Sequence, residues 1–117
     1  MVHSKEQIEE IMMSLYEQLG GHKFIVATGS KFTGYSEDEN GNLEQYISLA
    51  RNASSANKLK ITYDEGLDLY NVLFEKQTFS KKTFQISKKE IASYNGVYFD
   101  QLIPIFESVT GMYVRPF

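Results

Sequence analysis

Asn95-Gly-Val-Tyr-Phe-Asp-Gln-Leu-Ile-Pro-Ile-Phe-Glu-Ser-Val-Thr-Gly-Met-Tyr113 decides the fold of this chain, because it reads as a helix bracketed at both ends. Gly96 closes the preceding loop, and Asp100 is placed to cap the first free backbone N–H groups. Pro104 falls in the first turn, where its missing donor costs little, and Gly111 falls where a left-handed C-terminal residue is wanted. Between the brackets Leu102, Ile105, Phe106 and Val109 recur at helical spacing. One apolar face results, and it needs a sheet or another helix to cover it.

The opposite end of the chain supplies a second helix. Ser4 and Gln7 have the form of a capping box, and Ile8, Ile11, Met12, Leu15, Tyr16 and Leu19 follow a buried helical stripe until Gly20-Gly21 ends it. This predicts a helix over about Lys5 to Leu19, with Glu6, Glu9 and Glu10 in the early turns where the helix dipole favours them.

Between the helices the pattern shortens to that of strands. Lys23 to Thr28 is a nearly continuous apolar run closed by Gly29 and reads as a buried strand, and Lys31 to Tyr35 reads as a second short one. Asn40-Gly41 is the strongest local hairpin signal, and it leads into a strand over Leu43 to Arg51. Asn52 to Asn57 is a small polar loop. Lys58 to Tyr63 alternates, with Leu59, Ile61 and Tyr63 toward a core and Lys58, Lys60 and Thr62 away from it. Asp64-Glu65-Gly66 turns the chain into a strand over Leu67 to Lys76; Thr78 to Lys82 reads as a polar break and Thr83 to Ile86 as a short strand. Lys88 to Tyr94 fits either a helical turn or an irregular connection.

Short turns imply antiparallel pairing, since a parallel crossover needs a dozen or more residues. The expected fold is therefore α+β: an antiparallel sheet of four to five strands with the N-terminal and C-terminal helices packed on one face. A length of 117 residues suits one domain over 1–117, and 42% apolar with 23% charged residues is ordinary for a soluble globular chain. Eight Tyr and eight Phe favour sheet packing and an aromatic contact surface.

Several kinds of chemistry find no support in the residues. Cysteine is absent, which removes disulfides, thiolate metal sites and a cysteine nucleophile. No apolar run reaches membrane-spanning length and the N-terminus lacks the core of a secretory signal, so a cytoplasmic protein making no membrane contact is expected. Asp38 to Asn42 alternates oxygen ligands as a calcium loop does, but Leu43 stands where that loop needs Gly and Leu49 where it needs a bidentate Glu. A plain hairpin turn remains. His3 lies in an N-terminus expected to fray, and His22, just after the two glycines, reads as a helix-end residue. Gly20, Gly21, Gly29 and Gly34 match neither a phosphate loop nor a dinucleotide fingerprint. The expected protein has no catalytic residues, metal or cofactor.

Charge is unevenly distributed over a net −3. Residues 1–50 hold three Lys against eight acids, whereas residues 51–89 hold eight Lys or Arg against four. Arg51, Lys58, Lys60, Lys76, Lys81, Lys82, Lys88 and Lys89 are interleaved with Tyr63, Phe79 and Phe84, the ingredients of a groove that tracks phosphates and stacks bases. The competing reading is a solvated sheet face, with Asp64, Glu75 and Glu90 nearby.

Leu19-Gly20-Gly21-His22-Lys23-Phe24, Thr28-Gly29, Tyr70-Asn71-Val72, Gly96-Val97-Tyr98-Phe99-Asp100-Gln101-Leu102 and Thr110-Gly111-Met112-Tyr113 together resemble a family of small proteins carried by bacteriophages and other mobile elements. The likeness covers most of the chain. Its glycines and apolar positions carry structure, so it transfers no functional residue. What the resemblance implies is context: a non-enzymatic protein that binds and inhibits a host protein, such as a CRISPR or other defence nuclease complex. On that expectation the acidic residues Glu37, Asp38, Glu39 and Glu44 form the partner surface. The alternative is a nucleic-acid-binding accessory protein using Lys58, Lys60, Lys81 and Lys82, and either a monomer or a homodimer is compatible with the sequence.

Overall fold

A computed structural model describes residues 3–114. Helix α1 spans Lys5–Gln18 and α2 spans His22–Thr28; the strands are β1 Lys31–Glu37, β2 Leu43–Ser48, β3 Lys58–Asp64, β4 Leu69–Ser80 and β5 Gln85–Val97. A 3-10 turn at Phe99–Gln101 leads into α3, Leu102–Thr110. The five strands form one antiparallel meander in the order β1-β2-β3-β4-β5. The fold is α+β, with helices before and after the sheet.

Register decides which face carries the core. Ile47 pairs with Leu59, Leu59 with Phe74 and Ile61 with Val72, so the alternating apolar residues of β2, β3 and β4 project to one side. There they meet Leu15 of α1, Leu19 beyond its end, Phe24 of α2, and Leu102 and Phe106 of α3. The Phe24 and Phe106 rings meet edge-on at 4.9 Å, and Phe106 lies 6.4 Å from Phe74. Full burial of each such ring contributes about 1.5–3 kcal/mol. Both helical ends of the chain are held on this face, and Tyr70 adds a bond from its hydroxyl to Gln18 of α1 at 2.7 Å.

The capping box of α1 is present: Gln7 N–H donates to Ser4 Oγ and Ser4 N–H donates to the Gln7 side chain. Gly111 ends α3 in the left-handed conformation with φ 73°. The Asn40-Gly41 hairpin joins β1 to β2, with Asp38 Oδ1 accepting from the N–H groups of Asn40 and Asn42.

Five expectations are corrected. Lys23 to Thr28 is helix, not strand: Phe24 and Thr28, four apart, are buried on one side while Val26 between them is exposed, and Gly29 closes the turn at φ 68°. A short apolar run does not distinguish the two periods. The outgoing strand stops at Ser48 rather than Arg51. Of the break expected at Thr78 to Lys82, only Lys81 and Lys82 leave the strand, since β4 continues to Ser80, and Lys88 to Tyr94 lies within β5 rather than in a helical turn or loop. Asp100 sits inside the 3-10 turn; it is Gln101 whose side chain accepts the free N–H, that of Tyr98, at 3.1 Å.

His3 is also not frayed. Its ring is buried, with Nε2 2.7 Å from Glu65 Oε2 and Nδ1 3.8 Å from Glu37 Oε1, so it ties the start of α1 to the end of β1 and to the β3–β4 turn. His22 opens α2 as an exposed residue rather than closing α1.

Candidate functional site

The two longest strands outgrow the sheet. β3 pairs with β4 only as far as Lys58 opposite Glu75, while β4 and β5 remain paired out to Ser80 opposite Gln85. Residues 76–89 therefore leave the sheet as a two-stranded arm about 17 Å long, at roughly 3.3 Å per residue. A ribbon with no third strand has little stability of its own.

Asn57 anchors the arm at its base. Its Nδ2 donates to the Gln77 carbonyl and its Oδ1 accepts the Gln77 N–H, both at 2.8 Å, while its own N–H donates to the Glu75 carbonyl at 2.9 Å. One amide side chain thus imitates another residue of β3. Asn52 organises the loop behind it, its Nδ2 donating to the Ala50 and Ala56 carbonyls and its Oδ1 accepting the Ser54 N–H.

At the far end, Lys81-Lys82-Thr83-Phe84 turns the chain, with the Phe84 N–H donating to the Ser80 carbonyl at 2.8 Å. Phe84 holds φ at 54°, a conformation that costs a bulky residue about 1–2 kcal/mol. Its side chain is 79% exposed, so burial returns little of that cost. Phe79 and Ile86 lie directly opposite each other, 58% and 63% exposed, and the Phe79 and Phe84 rings meet edge-on at 6.3 Å. The tip is an apolar cluster in water.

The arm is also basic. Residues 76–89 contain five lysines and no acid. Lys76 is directly opposite Lys89, a like-charged pair about 5 Å apart at Cβ that destabilises the ribbon.

Of the residues proposed as an acidic partner surface, Glu37 and Glu44 lie on opposite faces. Glu37 pairs with core-facing Leu43, half-buried beside His3, whereas Glu44 is on the helix-free face. There Glu44 is committed within the sheet: Tyr46 Oη donates to Oε1 at 3.1 Å, Thr62 Oγ1 to Oε2 at 3.3 Å, and Lys60 Nζ lies 3.3 Å from Oε2. Asp38 caps the turn, and Glu39 is exposed beside it. Among the lysines proposed for nucleic acid, Lys58 and Lys60 stand on the helix-free face of β3, and Lys81 and Lys82 in the tip turn. Along β4 the two pairs are about 20 Å apart, at 3.3 Å per residue.

The sequence groups Phe79, Phe84 and Lys81 with the basic residues of 51–89 as a groove, but does not reveal the arm as a unit. One signal was available: no Gly or Pro occurs between Gly66 and Gly96, so nothing interrupts a long hairpin.

A second feature is an open cleft of roughly 790 Å³ between α1 and α3, with Phe99, Ile103, Pro104 and Tyr113 as apolar wall and Glu17, Asp100 and Glu107 as acids. No basic side chain lines it among the described residues. Elsewhere, Tyr63 donates to Asp68 at 2.7 Å, and that bond, with burial, raises its phenol well above the ordinary range; burial chiefly raises Tyr70 as well. Both are neutral donors at physiological pH. Among the described residues no group of three or more His, Asp or Glu could hold a metal, and no helix is long and apolar enough to cross a membrane. Compared with protein-family models, curated proteins and solved structures, the chain has no match.

Proposed function

We propose that this chain is a non-enzymatic binding protein of the bacteriophage or mobile-element kind, that it inhibits a host protein such as a defence nuclease complex, and that the β4–β5 arm is its contact element. The observation that carries this reading is the tip. Phe84 occupies a strained backbone position in an exposed turn, beside Phe79 and Ile86, where it returns little to the stability of the isolated chain. Strain of that kind is retained where another requirement holds the residue in place. A partner pocket that buries the aromatic tip supplies one, with surrounding acids to meet Lys81 and Lys82.

Phe84→Asn separates binding from folding, because Asn tolerates positive φ. The expected variant is as stable as the parent in urea, yet no longer retains the host protein captured from nuclease-treated bacterial lysate by the tagged parent. Capture that survives Phe84→Asn refutes the arm as contact element. Turnover of a substrate at substoichiometric amounts refutes the non-enzymatic reading.

A second reading, nucleic-acid binding, is favoured by the Lys76–Lys89 pair and the absence of acids along the arm. A two-stranded ribbon fits the major groove of a duplex. It predicts affinity that falls steeply with salt and a loss shared by all sequences on Lys81→Glu/Lys82→Glu. Absence of a gel shift at low salt excludes it.

A further inference from the structure

The chain carries both halves of a complementary contact. The arm tip presents Phe79, Phe84 and Ile86 flanked by Lys81 and Lys82; the α1–α3 cleft presents Phe99, Pro104 and Tyr113 flanked by Glu17, Asp100 and Glu107. Each is apolar at its centre and singly charged in sign at its rim, and the signs are opposite. Their placement prevents the contact within one molecule: the tip precedes the first residue of β5 and the cleft begins two residues past its last, and thirteen residues at about 3.3 Å separate them by about 40 Å. That is the full length of the molecule, whose longest extent is 41 Å.

We infer that the arm tip of one copy docks in the α1–α3 cleft of a second copy, and that two such contacts close a two-fold dimer. This rests on the reading of the arm as a docking element. Two copies laid antiparallel along β5 bring each tip to the other's cleft at once, so the two contacts close and leave no open end for a filament. The irregularities of pairing in β5, opposite Phe74/Glu75 and Tyr70/Val72, bend that edge strand and disfavour a simple continuous sheet between copies. The contact is accordingly side chain to side chain, at the ends.

Charge reversal in trans tests this, read by sedimentation equilibrium. The parent is expected to be dimeric at low salt, with the dissociation constant rising at least about tenfold between about 0.1 M and 1 M salt as the rim charges are screened. Lys81→Glu/Lys82→Glu places negative tips against negative clefts and is expected to be monomeric, as is Glu17→Lys/Asp100→Lys for the opposite reason. Mixing the two variants restores both contacts, so a dimer of one copy of each is expected. A monomeric parent at low salt overturns the inference, including one whose tip instead binds an added duplex oligonucleotide. So does a parent dimer that persists in both variants, or a mixture that stays monomeric. The cleft variant keeps the arm intact, so capture of the host protein by Glu17→Lys/Asp100→Lys separates failure of self-docking from failure of the arm as contact element; loss of both functions in Phe84→Asn belongs to the arm.

Discussion

Asn57→Ala tests whether the arm is held by one side chain. The substitution removes two hydrogen bonds of 2.8 Å to the backbone of Gln77 and leaves the Asn57 N–H bond to Glu75 in place. At about 0.5–1.5 kcal/mol for each bond, the loss is about 1–3 kcal/mol, confined to the base of the arm because Leu59 and Phe74 beside it remain buried. Native-state amide exchange reads this directly, since the Gln77 N–H is one of the two groups released. In the regime where exchange follows local opening, its rate is expected to rise between about 5-fold and 150-fold, as 1.4 kcal/mol corresponds to a factor of ten. Amides of Ile61 and Val72 in the centre of the sheet are expected to keep their rates. An unchanged rate at Gln77 refutes the anchoring role, and an equal rise at Ile61 shows that the loss is global. Partner affinity is expected to fall too, because a loosened arm has more freedom to lose on binding.

Three further outcomes follow from the packing. Phe24→Ala opens a hole between Phe32 and Phe106 and is expected to cost about 3–5 kcal/mol in urea unfolding; a cost below 1 kcal/mol contradicts the role given to α2. Gly20→Ala places a Cβ 2.9 Å from Val114 Cγ1 at φ 115°, so a fall of several degrees in Tm is expected, and an unchanged Tm contradicts the close approach of Val114 to the α1–α2 corner. Tyr63 holds its proton more tightly folded than unfolded, so the stability this contributes is complete below the unfolded value of about 10 and is lost as pH rises through the folded one. The urea midpoint is expected to drop at alkaline pH less in Tyr63→Phe than in the parent, and equal slopes refute the assignment.

The parts of the fold legible in the sequence were those with a complete local signature. Ser4 with Gln7, Asn40-Gly41 and Gly111 each fix one backbone geometry by their own chemistry, and each sits where its pattern places it. Lys23 to Thr28 carried no such mark: five of its six residues are apolar or β-branched, and only the tertiary burial of Phe24 and Thr28 separates helix from strand there. The arm was illegible for another reason. Periodic hydrophobicity reports a buried face, and residues 81–90 are exposed on both faces, so Thr78 to Lys82 looks like a break although Thr78 to Ser80 remain paired in the ribbon. The burial of His3 has no local signature because its two carboxylate neighbours, Glu37 at the end of β1 and Glu65 in the β3–β4 turn, are distant in sequence and no spacing rule connects them.

The arm is where local rules are broken together, and that concentration is informative. Elsewhere such departures are scattered: Ser55 and Asp68 also take positive φ, and Val26 and Leu67 are also exposed, but the apolar residues of β2 to β4 alternate toward one face, a capping box opens α1, and Glu44 on the open face meets Tyr46, Thr62 and Lys60. Within residues 76–89 a lysine faces a lysine, an aromatic residue takes a left-handed turn position, and three large apolar side chains stand in water. Each costs free energy in an isolated monomer, and a threonine-for-lysine or asparagine-for-phenylalanine exchange would remove the first two without touching the core. Asn57 braces the base of this ribbon with two hydrogen bonds to Gln77, which the proposed contact would use to hold the tip in place. Two of the three costs, the turn position of Phe84 and the exposure of Phe79, Phe84 and Ile86, lie at the tip, where the proposed apolar pocket with an acidic rim would bury them and meet Lys81 and Lys82; the Lys76–Lys89 pair lies at the base of the arm, beyond its reach.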